Sequence, residues 1–454
     1  MKTLSLNCSA AVIGLSLAAA AQVCAQDGRG AATAPLSPAA MREDLIYLRE
    51  QWLPRDLSFS PDERTEFGSV VESAIQRTGS LSPAQFALEV SRAVAVSGNA
   101  HTSADVDGFF TYLPIRVWWF ADGLHIVEAQ PEHADLLGAR VERIGNFTAA
   151  QALERVAPFF SGTDEFTRFG TVSLLVSLDP LAHAGVIPST EAATLTLARY
   201  GETRVVTLGP QRAPAPPVGG TGVLIPSPPG NPHQWQHVLD ALDEPPPAFR
   251  SPLSDVTHEW LAGGDVFYIR NESTTTHGET RLDDKLLTII STQVVPRRPR
   301  FVVVDLRLNT GGNFFSTALF AQILPKLVPE HGKIYVLVGN VTLSAAIATA
   351  MMLKGNGGEK VVFVGERMGD HAQFWAENPE LSLPHSGIAV HYATGFHDWS
   401  GECSQNAHCF WATAIFATPG LSLEPDVRAS LTFADYAAGH DTVLEAALAL
   451  AQLP

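Results

Sequence analysis

Short apolar runs that end abruptly in small residues mark the second half of the chain. The clearest are residues 301–304 and 334–338, which are followed by turns containing Gly, Asn, Thr or Ser. Runs of this kind predict buried strands that end at turns. Residues 345–354 follow the second turn with a helical pattern. Further strands and helices alternate here, at 266–270, 282–293 and 316–327, which predicts a βαβ layer arrangement.

The first half of the chain has different patterns. From residue 38 to 96, apolar residues recur at helical spacing, with Ser80 or Ser82 as candidate N-caps, which predicts a small helical domain. Short strands follow at 113–120, 124–128, 194–198 and 203–208. Residues 209–252 are rich in proline and glycine, a composition typical of a semi-rigid connection.

These patterns divide the chain into six regions. They are an export signal (1–25), a flexible lead-in (26–38), a helical N-terminal domain (39–110), a β-rich region (111–208), a Pro/Gly-rich linker (209–252) and an α/β domain (253–454). The composition, 46% hydrophobic and 17% charged over 454 residues, is that of a globular protein. The formal charge of −17 argues against nucleic acid as a partner.

The N-terminus resembles an export signal. A positive start at Lys2 precedes an apolar core, 10–21, and small residues before a cleavage site near Ala25. We therefore expect an exported protein, periplasmic or secreted, whose mature chain has no stable membrane span. Cleavage would leave two cysteines, Cys403 and Cys409, and an even pair in an exported chain predicts one disulfide. Two free thiols, or a metal site with His408, are the alternatives.

The two turns can build an acyl-transfer site. Ser344 would lie where the second strand gives way to a helix, beside bare N-terminal amides. Gly311 and Gly312 lack a β-carbon, so a substrate could approach their backbone closely. The amides of Ala345 and of Gly311 or Gly312 would then stabilise an oxyanion. The alternative is an ordinary glycine turn and a serine that caps a helix.

Two sequence motifs coincide with these turns: residues 305–312 have the pattern D-x-R-x-N-x-G-G, and residues 342–346 contain T-x-S-A. They resemble the signature and the nucleophile motif of the C-terminal (tail-specific) processing peptidase family, which also contains the tricorn core protease and retinoid-binding repeats. Looser matches follow the family's order, at 97–102, 361–366, 423–427 and 439–445. The resemblance implies a crotonase-like α/β catalytic core, and residues 136–146 resemble a strand region of a PDZ-like module.

The resemblance also bears on the base that activates Ser344. A serine hydroxyl needs a base within hydrogen-bond reach. Well-known family members use a lysine from a turn that corresponds to residues 365–371, and this stretch contains no lysine. The tricorn-like branch uses a histidine that maps onto His101, and imidazole suits this role at neutral pH. His371 is the rival base.

A carboxylate should orient the imidazole. Asp370 and Glu377 are the preferred candidates, and Asp398 and Glu402 lie in the same segment. Four histidines there do not have the spacing of a metal site, so we expect neither a metal nor a cofactor. The histidines are His385, His391, His397 and His408.

The sequence therefore predicts an exported serine-type endopeptidase that acts on peptide or protein substrates. The alternative is an inactive lipid- or retinoid-binding protein on the same scaffold, with aromatic residues lining an apolar pocket. The aromatic candidates are Trp118, Trp119, Phe374, Trp375, Phe396 and Trp399. The sequence does not specify an oligomeric state.

Overall fold

The computed structural model describes residues 36–228, 230–250, 256–401, 403 and 406–451. The predicted export signal (1–25) and residues 26–35 of the predicted lead-in lie outside this range. Within it, no helix has the length and apolar character needed to cross a membrane.

Three helices form the N-terminal part of the fold, as the apolar spacing predicts. They are α1 (Pro38–Tyr47), which continues as a π-helical turn (Leu48–Trp52), α2 (Pro61–Arg77) and α3 (Pro83–Ala95). Each starts with proline after a serine that accepts a backbone N–H, which satisfies a free helix-end amide. Of the two candidate caps, Ser82 caps α3, whereas Ser80 donates its hydroxyl to the Arg77 carbonyl.

An antiparallel sheet with short helices follows. Its elements are β1 (Ile115–Phe120), β2 (Gly123–Ala129), β3 (Arg140–Ile144), β4 (Phe147–Thr148), α4 (Ala149–Val156), α5 (Asp164–Gly170), α6 (Leu178–His183), β5 (Ala193–Arg199) and β6 (Glu202–Leu208). The strand order is β1-β2-β3-β5-β6, and β4 pairs with β3. One hydrophobic cluster joins this sheet to the N-terminal helices, for example through Trp52, Phe86 and Ile126.

The Pro/Gly-rich segment packs onto the sheet. Its short strand β7 (Gln236–His237) pairs with β2, and a 3₁₀ turn spans Thr221–Leu224. The Leu224 carbonyl accepts the Tyr436 hydroxyl at 2.6 Å. Buried Leu224, Trp235 and Leu239 explain why the segment folds despite its prolines, since each removes apolar surface from water.

A second, mainly parallel sheet carries the two turns of interest. Its elements are β8 (Val256–Leu261), β9 (Val266–Asn271), α7 (Leu282–Ile289), which continues as a π-helical turn (Ile290–Val294), α8 (Val295–Arg297), β10 (Phe301–Asp305), α9 (Phe315–Leu327), β11 (Lys333–Val338), α10 (Ala345–Gly357) and β12 (Val361–Gly365). The predicted strand and helix alternation is confirmed. Strands β9 to β12 pair in parallel and in chain order, and β8 joins β9 antiparallel.

The remaining elements complete this part. They are β13 (Gln373–Ala376), β14 (Glu380–Ser382), β15 (Ala389–His391), β16 (Gly395–Asp398), α11 (Thr413–Phe416), β17 (Val427–Arg428), α12 (Phe433–Ala438) and α13 (Thr442–Leu450). Strand β17 extends the parallel sheet beside β12. Strands β13 and β16 pair antiparallel in a separate two-stranded sheet. The overall class is mixed α/β, as predicted.

Alternate residues of the parallel strands face two different cores. Val302, Val304 and Val336 pack with α7, α9 and α10 on one face. Val303 and Leu337 pack with α13 on the other. Burial on both faces explains the continuous apolar runs in the sequence.

Candidate active site

The two turns meet at the carboxyl ends of adjacent parallel strands. The first follows β10 and runs to Gly312, and the second follows β11 and leads to Ser344 at the start of α10. A β-carbon placed on Gly311 would lie 3.2 Å from the Ala345 nitrogen. The structure therefore brings the glycine turn against the serine turn, at the sheet edge where parallel α/β proteins bind ligands.

Ser344 has a strained backbone. Its φ is +52° and its ψ is −121°, a combination that costs a non-glycine residue roughly 1–3 kcal/mol and is concentrated at functional sites. Its side chain makes no capping hydrogen bond to α10. The helix-cap interpretation of Ser344 therefore does not describe this structure, in which the half-buried hydroxyl makes no hydrogen bond to any described residue.

A buried threonine side chain and a backbone hydrogen bond hold the turns together. Thr342 Oγ1 donates to the Leu306 carbonyl at 2.9 Å and accepts the Gly339 N–H at 3.0 Å. The Asn309 carbonyl accepts the Leu343 N–H at 3.1 Å. These bonds fix the position of the serine relative to the glycine turn.

The side chain of Asn309 also decides which amides are available. Its Oδ1 accepts the Gly311 N–H at 2.8 Å, while its Nδ2 donates to Asn271. The Gly312 and Ala345 amides donate no hydrogen bond within the described residues. Of the three predicted oxyanion donors, Gly312 and Ala345 thus keep a free N–H, whereas the Gly311 N–H is engaged.

Two residues of the D-x-R-x-N signature form a buried ion network. Arg307 binds Asp305 and, with both terminal nitrogens at 2.6 and 2.7 Å, Asp441. The Tyr268 hydroxyl donates to Asp305 at 2.8 Å. Asp441 also caps α13. This network anchors the glycine turn to the C-terminal helix and does not itself reach the serine.

His101 lies in a buried apolar environment. The residue is 8% exposed, and neither ring nitrogen has a hydrogen-bond partner in the described part of the chain. Its ring stacks on Phe374 with a centroid separation of 5.4 Å. Burial, and secondarily His397, lower the pKa of His101 to about 4, while Glu377 acts in the opposite direction. The imidazole is therefore neutral at physiological pH.

A cavity of about 630 Å³ connects the surroundings of His101 with the glycine turn. It is lined by Ala100 and Thr102, on either side of His101, and by Thr310, next to Gly311. The structure thus brings the His101 loop and the glycine turn to one cavity. The structure shows no hydrogen bond between Ser344 and His101. Both ring nitrogens of His101 lack a hydrogen-bond partner among the described residues.

His397 is a nearby residue that sequence reasoning assigned no role. The Phe374 ring, which stacks on His101, also stacks on His397 with a centroid separation of 5.2 Å, and Phe410 stacks on His397 at 4.5 Å. His397 Nε2 lies 3.1 Å from Glu377 Oε1. The pairing of β13 with β16 sets Phe374 opposite His397.

The candidate carboxylates occupy different places. Glu377 contacts His397 and exerts an electrostatic effect on His101. Asp370 accepts the His371 N–H with one oxygen, its other oxygen has no described partner, and burial raises its pKa to about 7. Asp398 accepts a hydrogen bond from Gln373. Glu402 lies outside the described residues.

The remaining predicted residues are distributed as follows. His371, the rival base, is exposed and lies 3.5 Å from the Arg367 guanidinium. The predicted disulfide between Cys403 and Cys409 is confirmed. The aromatic residues proposed for an apolar pocket are divided among separate clusters: Trp118 lies in one, Trp119 packs against a second, and Phe374 and Trp399 lie in a third.

No protein-family model and no curated protein matches the chain. Solved structures do match. The structure of mature CPAF complexed with lactacystin has a TM-score of 0.58 at 13% identity, covering 92% of this chain and 99% of that one. A second structure of mature CPAF gives the same TM-score at 14% identity, with 92% and 98% covered.

A weaker match is the photosystem II D1 C-terminal processing protease, with a TM-score of 0.32 at 13% identity and coverage of 86% and 92%. That score is too low to establish a common fold. The chain therefore has the fold of mature CPAF.

Proposed function

We propose that the protein is an exported serine-type endopeptidase that uses Ser344 as nucleophile and His101 as general base. The observation that carries this proposal is the strained serine, whose free hydroxyl lies at the start of α10, next to the free Ala345 amide and packed against the glycine turn. A helix-capping serine has no need of this conformation. The fold shared with mature CPAF is consistent with the proposal.

In the proposed reaction, the Ser344 hydroxyl attacks the carbonyl carbon of the scissile peptide bond. His101 takes the hydroxyl proton and later gives it to the leaving amine. The Gly312 and Ala345 amides hold the negative charge that develops on the carbonyl oxygen. Water then hydrolyses the acyl-enzyme by the same steps in reverse order. The proposal requires that the hydroxyl and the imidazole meet when substrate binds.

We assign the charge-stabilising role to Glu377. Its carboxylate favours the protonated form of His101, which is the form that appears after proton transfer. Glu377 acts across Phe374 and through its contact with His397, so it is a positioning residue. Asp370 is not among the charged residues that shift the pKa of His101 in the described part of the chain.

Export remains part of the proposal. The signal-like N-terminus and the disulfide between Cys403 and Cys409 support it, because disulfides persist in oxidising compartments. The crotonase-like description of the parallel core and the PDZ-like description of the antiparallel sheet also remain predictions.

The experiment is cleavage of fluorescein-labelled casein by the full chain and its variants. Ser344→Ala should abolish cleavage with an unchanged thermal midpoint. The control is Ser316→Ala, which alters another half-buried serine in the first turn of a helix and should retain activity. Equal cleavage by Ser344→Ala would refute the nucleophile. No cleavage by the wild type, together with retinoid or lipid binding, would favour the ligand-binding alternative.

A further inference from the structure

The Pro/Gly-rich segment closes a second cavity, which lies against the antiparallel sheet. It has a volume of about 340 Å³ and mostly apolar walls, formed by residues that include Pro216, Pro217, Val223 and Ile225. The polar side chains that line it belong to Glu128, Ser227 and His233. A cavity of this size and character suits a small organic group.

Glu128 is the charged residue that lines this cavity. It lies on β2 and is 5% exposed, and its carboxylate has no hydrogen bond or ion pair within the described residues. Burial raises its pKa to about 7, while the positive charge of Arg116 acts in the opposite direction. A buried carboxylate without a partner is costly, and native proteins usually supply one.

The neighbouring cation does not fill this role. Arg116 is the cross-strand partner of Glu128 and is 1% exposed. Its guanidinium donates to Gln211 and to four backbone carbonyls, those of Leu113, Ile115, Pro216 and Pro217. All five of its N–H groups are therefore used. Arg116 fixes the proline wall and leaves the Glu128 carboxylate open to the cavity.

Arg116, His233 and Asp240 are the other titratable groups that act on or line this cavity. Burial and Arg116 lower the pKa of His233, so its ring is neutral, and it bonds Ser227 and the Trp235 N–H. The carboxylate of Asp240 adds negative charge near Glu128. The cavity thus offers an open carboxylate acceptor and an apolar wall, and it lacks a lining cation among the described residues.

We propose that this cavity binds an organic ammonium group whose nitrogen donates to Glu128 and whose apolar body packs against the proline wall. A free alkylamine and the side chain of a peptide lysine share this chemistry. The cavity has Gly219 in common with the cavity beside Thr310, so the two cavities adjoin. This binding site is separate from the proposed peptidase chemistry.

The test is isothermal titration calorimetry on the full chain at about pH 8, where Glu128 is largely ionised. n-Hexylammonium should bind at least about tenfold more tightly than the neutral 1-hexanol, since only the former pairs with a carboxylate. Glu128→Gln should abolish this preference. Glu132→Gln, which removes an exposed carboxylate on the segment that follows β2, is the matched control and should keep it.

Two further variants distinguish loss of ligand binding from misfolding of Glu128→Gln and from failure of the peptidase proposal. Ser227→Phe would fill the cavity while Glu128 stays unchanged in the sequence. It should weaken hexylammonium binding, and it provides the test if Glu128→Gln does not fold. Ser344→Ala should bind hexylammonium normally, so failure of the peptidase proposal would leave this result unchanged. A capped Ala-Lys-Ala peptide that binds as well as hexylammonium would identify a peptide lysine as the ligand, and weaker binding would identify a free amine.

The proposal is overturned if hexylammonium and 1-hexanol bind equally. It is also overturned if neither binds at millimolar concentration, or if a folded Glu128→Gln variant retains the preference for the cation.

Discussion

A β-carbon on Gly311 would lie 2.7 Å from the β-carbon of Ser344, so the two turns can lie side by side only because Gly311 has no side chain. The φ of Gly311, +116°, also disfavours any other residue. The signature glycine is thus required by the packing of the proposed nucleophile, while its amide is held by Asn309.

Gly311→Ala should therefore displace Ser344 and reduce casein cleavage by about a hundredfold, the cost typical of a misplaced catalytic group. Gly278→Ala is the matched control. Gly278 also has a positive φ, +82°, but a β-carbon there would meet no atom within 4 Å. Gly278→Ala should carry only the backbone strain and remain active. If both variants cleave casein equally well, the contact between Gly311 and Ser344 is unimportant.

Removing the cation from the buried network around Arg307 should destabilise the fold strongly. Arg307→Leu would leave Asp305 and Asp441 buried without a cation, a change that costs about 3–5 kcal/mol. Urea unfolding measures this loss. Arg428→Leu removes an ion pair in which Arg428 is 83% exposed and should cost less than about 1 kcal/mol. Similar losses in the two variants would contradict the structural role of the network.

His101 should make stability depend on pH. Its pKa is about 4 in the folded state and about 6.5 in the unfolded chain, so between these values the unfolded chain binds more protons. The free energy of unfolding should fall as pH drops from about 6.5 to about 4, by about 3 kcal/mol in total from this residue. His101→Gln should lose this part of the slope, and His331→Gln, at an exposed histidine, should not. An identical slope in all three proteins would show that His101 is not buried as described.

Glu377 should shift the pH profile of the reaction. The acid limb of kcat/KM reports the pKa of the free base, so it should lie well below pH 6.5. Because Glu377 raises the pKa of His101, Glu377→Gln should move this limb to still lower pH and reduce kcat. A loss of activity without movement of the acid limb would indicate a purely structural role for Glu377.

Much of the scaffold could be predicted because its strands and helices are local patterns. The apolar runs at β10 and β11, the helical spacing of α1 to α3 and the cap at Ser82 each follow from nearby residues. The disulfide followed from cysteine number and the expected compartment. The α/β class could be predicted without knowledge of any contact between residues distant in the sequence.

The details of the site depend on contacts that sequence patterns do not show. The positive φ of Ser344 and the capture of the Gly311 amide by Asn309 result from packing between two turns. The position of His397 beside Phe374 depends on the register of the two-stranded β13–β16 sheet. The proline-rich segment was predicted as a connection because composition does not reveal that Trp235 and Leu239 are buried.

The most direct test of the central claim is labelling with a fluorophosphonate probe, followed by mass spectrometry to locate the label. The account predicts a label on Ser344 in the wild type, strongly slowed labelling in His101→Gln, and unchanged labelling in the His331→Gln control. Labelling at another serine, or equal labelling rates with and without His101, would contradict the proposal that His101 activates Ser344.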